Sequence, residues 1–88
     1  MESKHYDIIH QHFDEQLDSL ARLIAFPSVS QGAPEPGMPL GKHIHDALEY
    51  TLDLARNMGF SARSLDGYCG VIDYGEGDEM LVIMAHLD

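Results

Sequence analysis

Apolar positions mark out the elements of this chain. Between Tyr6 and Phe26, Ile9, Phe13, Leu17, Leu20 and Ile24 recur at steps of four, four, three and four, with Asp14, Glu15, Asp18 and Arg22 falling mainly elsewhere. That spacing draws one apolar stripe along a 3.6-residue repeat and predicts an amphipathic helix. Pro27 ends it, because the residue before a proline avoids the helical region, and Ser28-Val29-Ser30 reads as an exit turn. Gln31 to Gly41 holds three prolines and three glycines in eleven residues, too many for a regular element, and predicts an irregular surface loop. From His43 the residues Ile44, Leu48, Leu52, Ala55 and Met58 return to helical spacing, with Gly59 placed as a left-handed C-terminal cap.

Beyond Gly59 the period changes. Phe60 to Leu65, the dipeptide Asp66-Gly67 and Tyr68 to Tyr74 predict a strand, a hairpin turn and a second strand, and Gly75-Glu76-Gly77-Asp78 a further turn. Met80 to Ala85 is six apolar residues without polar alternation, the pattern of a strand covered on both faces, although periodicity alone also admits a buried helix segment. The predicted order is two helices, then three strands, in an α/β fold whose mixed sheet is covered by helices. A last strand that needs cover on both faces asks for neighbours the 88 residues do not supply, so residues 1–88 are expected to be the incomplete N-terminal part of a larger domain.

Charge and composition then narrow the partners. Fifteen acidic residues against five Lys plus Arg give a formal charge of -10, which repels phosphate backbones and anionic membrane surfaces. Neither nucleic acid nor a membrane is expected as a partner. No apolar run is long enough to span a bilayer, and the opening MESKHYDI lacks the apolar core of a signal peptide, so the expected location is the cytoplasm. The single cysteine, Cys69, excludes an internal disulfide framework.

Six histidines invite a metal hypothesis, and spacing removes most of them. His10 and His12, like His43 and His45, stand two apart on predicted helices, where such side chains diverge and cannot grip one ion; His5 lies near the terminus. His86 differs because it follows the apolar run directly, and ligands in open α/β sheets gather at the carboxyl ends of strands. Asp88, two residues on, shares its side of an extended backbone and is the type of group that holds the second nitrogen of a metal-bound imidazole. The spacing alone also fits an ordinary strand-end histidine and a turn aspartate. Cys69 reads as a small buried hydrophobe, Ser28 and Ser30 lack a nucleophile elbow, and the acidic DYGEGDE turn suits neither phosphate nor an EF-hand calcium site.

Three segments together resemble a known family: FPSVS (Phe26 to Ser30), GKHIHDALEYTLDLARNMGF (Gly41 to Phe60) and YGEGDEMLVIMAHLD (Tyr74 to Asp88). They resemble the N-terminus of the dinuclear zinc peptidases, which include aminoacylases, acetylornithine deacetylase, carnosinases and, with the nearest wording, PepV-type (Xaa-His) dipeptidases. The resemblance implies that His86 is a metal ligand of a two-zinc site and that Asp88 is the catalytic aspartate orienting it. It implies a parent enzyme that hydrolyses dipeptides or short peptides by zinc-activated water. It covers nearly the whole chain but only the opening part of such enzymes, and the remaining ligands and the general base have no counterpart here. One histidine and one aspartate do not make a tight dinuclear centre, so residues 1–88 alone are expected to be inactive. The alternatives are a short interaction module that self-associates through an exposed sheet, and a plain structural reading of His86-Leu87-Asp88 as a strand end.

Overall fold

The computed structural model describes residues 3–29 and 33–88, with side chains from Lys4 onward, so Ser30 and the first residues of the Pro/Gly loop lie outside the described residues. Its elements are α1 (Ser3–Gln11), α2 (Phe13–Ile24), α3 (Lys42–Asn57), β1 (Ser61–Leu65) and β2 (Cys69–Asp73). The α/β class holds, with three helices and two strands in place of two and three.

The extra helix comes from a break in the first one. His12 leaves helical geometry at φ -106 and ψ 11, its N–H reaching back to the Ile9 carbonyl at 3.1 Å while its own carbonyl accepts from Gln16 at 2.9 Å. A fresh helix start places Asp14 and Glu15 in the first turn of α2, where the helix dipole favours negative charge, and Glu15 meets the His12 ring at 3.2 Å. The apolar period runs through the break because one irregular residue barely rotates the stripe. Pro27 terminates α2 as expected, through tight turns closed by Ser28 N–H to Phe26 O and Val29 N–H to Pro27 O, both 2.8 Å.

Helix α3 organises the rest. Ile44, Ala47, Leu48, Leu52 and Ala55 form its buried face, and they are the whole buried apolar core among the described residues. Gly59, at φ +94, closes it with paired bonds, Phe60 N–H to Ala55 O and Gly59 N–H to Arg56 O, each 3.0 Å. This is the Schellman arrangement, which needs a left-handed residue where the glycine stands. The chain then reverses into the antiparallel β1–β2 hairpin, registered from Ser61 opposite Asp73 to Leu65 opposite Cys69. Asp66 and Gly67 turn it with φ of 57 and 80, the positive values for which Asp-Gly is suited. The hairpin lies on α3, anchored at its edge by the Arg56 guanidinium donating to Ala62 O.

The Pro/Gly loop is more regular than its composition suggests. Glu35 and Met38 exchange both backbone bonds, at 3.0 and 2.8 Å, around a Pro36-Gly37 corner with Gly37 at φ +76. Helix α2 meets α3 near its C-terminal end, where the Phe26 and Tyr50 rings sit 5.6 Å apart and the Tyr50 hydroxyl donates to Ser19 O at 3.4 Å. It contributes no buried residue, and Phe13, Leu17 and Leu20 stay about half exposed.

The third predicted strand does not form. Residues 74–88 carry no helix or strand, and Met80, Leu81, Ile83 and Met84 are each more than four-fifths exposed. A strand exists by pairing its backbone N–H and C=O groups. Among the described residues the sheet stops at two strands and one helix covers it, so the apolar run finds neither a ladder nor a second cover. No helix among the described residues is long and apolar enough to cross a membrane.

Candidate metal-ligand site

The extended C-terminal segment returns to the body of the molecule at its end. Ile83 and residues 85–88 line an open cavity of about 450 Å³ whose other walls include Leu48 and Leu52 of α3 and Ile72 of β2. His86 and Asp88 lie at the rim of the same cavity.

Here the two residues singled out by spacing meet. His86 Nδ1 lies 3.1 Å from Asp88 Oδ1 and 3.2 Å from the Asp88 carbonyl oxygen, both acceptors, which favours the imidazole carrying its proton on Nδ1. That tautomer leaves Nε2 with its lone pair free, and the His86 side chain is 84% exposed. The backbone between them is held from a distance: the Ser28 hydroxyl donates to Leu87 O at 2.8 Å, across a separation of 59 residues. Ser28 sits just beyond Pro27, so the turn that ends α2 delivers its hydroxyl to the His86-Leu87-Asp88 backbone.

The donor set decides how far a metal fits. An imidazole with Nδ1 held by a carboxylate and Nε2 open is the usual state of a zinc-ligating histidine, so the pair suits one ligand position. Among the described residues no three His, Cys, Asp or Glu side chains converge as a metal site, and a zinc centre takes three or four protein ligands. The other histidines stand elsewhere: His5 and His10 on α1, His12 at the α1–α2 break, His43 and His45 on α3. His45 Nδ1 is buried without a hydrogen-bond partner. Cys69 is not the buried hydrophobe its strand position suggests: at the start of β2, at the edge of the two-stranded sheet, it is an exposed free thiol lining the cavity. Ser28 carries no nucleophile elbow, and no local pattern signals a hydroxyl that acts on a carbonyl 59 residues away.

Comparison with known proteins gives relatives for part of this chain. The chain is 38% identical over 53 residues to "Putative dipeptidase YtjP" of Bacillus subtilis (strain 168), covering 60% of this chain and 11% of that protein. It is 31% identical over 81 residues to "Putative dipeptidase SAUSA300_1697" of Staphylococcus aureus (strain USA300), covering 91% of this chain and 17% of the relative. The chain therefore spans less than a fifth of the length of these curated relatives. No family model and no solved structure gives a significant match.

Proposed function

We propose that residues 1–88 form the N-terminal part of the catalytic domain of a zinc dipeptidase of the aminoacylase and carnosinase type, in which His86 binds one of two zinc ions through Nε2. The observation that carries this reading is the 3.1 Å approach of Asp88 Oδ1 to His86 Nδ1, which orients the ring and leaves Nε2 open. The similarity to proteins named as dipeptidases supports the substrate class, dipeptides or short peptides. Zinc bound there supplies Lewis-acid polarisation of the scissile carbonyl. The chain's own contribution is positional: Asp88 holds His86 Nδ1 and so fixes the tautomer and the ring orientation. Residues 1–88 by themselves offer one such ligand among the described side chains and are proposed to be inactive.

The test uses the full-length protein from its source cells. Dialysis against a chelator abolishes dipeptide hydrolysis, zinc restores it, and His86→Ala lowers kcat/KM by more than about a hundredfold, beyond the scale of losing a group that only orients a metal ligand. Hydrolysis that survives both chelation and His86→Ala would sink the proposal.

One observation favours a second reading. Met80, Leu81, Ile83 and Met84 present consecutive apolar side chains to solvent, a surface that a second copy of the chain could cover. Light scattering on the 88-residue chain separates the two: a stable dimer with no dipeptidase activity in any longer form favours self-association.

A further inference from the structure

Whatever sets the His86–Asp88 geometry must act through the backbone that joins them, and one side chain from elsewhere in the fold reaches it. Ser28 Oγ donates to Leu87 O at 2.8 Å, and this hydroxyl is part-buried. The carbonyl it holds belongs to the peptide linking Leu87 to Asp88. Rotation of that peptide plane swings the Asp88 Cα, and with it the carboxylate, away from the imidazole. Among the described residues no backbone–backbone hydrogen bond restrains residues 74–88, so the Ser28 bond stands where a strand ladder would otherwise fix the segment. Both ends of the bond are placed: Ser28 by the turn after Pro27, Leu87 by its side chain in the cavity against α3.

We infer that Ser28 is a positioning residue for the metal-ligand pair: its hydroxyl fixes the Leu87–Asp88 peptide so that the Asp88 carboxylate holds His86 with its proton on Nδ1 and Nε2 turned outward. This deepens the zinc-dipeptidase reading and rests on it for its catalytic consequence, but the positioning is a property of the metal-free chain. Ser28 touches neither substrate nor metal and acts only through Asp88 and His86.

Two measurements on the full-length protein separate the inference from the reading beneath it. In metal-free protein with ¹⁵N-labelled histidine, the His86 signals, assigned with His86→Gln, report the Nδ1–H tautomer in the wild type; S28A shifts them to a mixture, and S28T, which keeps the hydroxyl, restores them. With zinc present, S28A lowers zinc affinity and kcat by about three- to tenfold, the scale of one lost hydrogen bond, leaves KM unchanged and is rescued by S28T. An unchanged tautomer in S28A overturns the role of Ser28, as does a loss that S28T fails to rescue or a drop in Tm alone. Failure of zinc to support hydrolysis in the wild type overturns the dipeptidase reading instead, and the tautomer measurement still decides on Ser28.

Discussion

Replacing Gly67 by alanine tests how the Pro/Gly loop is tied to the hairpin. Gly67 is buried, at φ +80, and a Cβ there would stand 2.7 Å from Gly37 O and 2.9 Å from Pro39 Cδ. Two costs add. The left-handed backbone costs an L-residue about 1–2 kcal/mol, and forcing a methyl against atoms that cannot swing aside costs about 1–3 kcal/mol more. Gly37 supplies the control, since its φ of +76 is nearly the same but nothing lies within 4 Å of its would-be Cβ. Gly37→Ala should therefore carry only the first cost. In urea unfolding of the 88-residue chain, followed by far-UV circular dichroism, Gly67→Ala should lower the midpoint further than Gly37→Ala, with similar slopes, by an amount equal to about 1–3 kcal/mol. Equal destabilisation by the two substitutions, within about 0.5 kcal/mol, would refute the close approach of the loop to the hairpin turn.

An ion pair on α3 and the exposed apolar run give two further outcomes. The Lys42 ammonium donates to Asp46 Oδ2 at 2.6 Å and holds that carboxyl below its ordinary pKa, so Lys42→Met should return its NMR titration midpoint to the usual aspartate range. Because the folded pKa is the lower one, the pair's small contribution is present at neutral pH and is lost as pH falls through the Asp46 titration. In hydrogen exchange of the 88-residue chain, the amides of Leu81 to Met84 should exchange at unprotected rates while those in the β1–β2 ladder are slowed; protection of both alike would mean that the apolar run has found a ladder.

What the sequence made legible was what neighbours along the chain decide. The Gly59 cap, the Asp66-Gly67 turn and the buried face of α3 each depend on residues within one or two turns of one another, and each formed where the spacing placed it except at Met58, the last residue of the stripe, which caps α3 and is exposed. His86 and Asp88 are local in the same sense: two residues apart on extended backbone, they needed no tertiary help to be recognised as a pair, and their side chains meet at 3.1 Å. Met80 to Ala85 has the composition of a covered strand but forms none, because composition describes the surroundings a segment requires, and a strand also requires a partner edge, which residues distant in sequence must supply. The break at His12 escaped notice because an apolar stripe records only which side of a helix faces inward, and one irregular residue leaves that side unchanged. Ser28 is the sharpest case. Its bond to Leu87 O joins the turn after α2 to an extended segment 59 residues later, so its effect on the His86–Asp88 pair is visible only in the folded chain. The chemistry of the candidate site is thus written in a three-residue word, while its geometry depends on a hydroxyl from the other end of the fold.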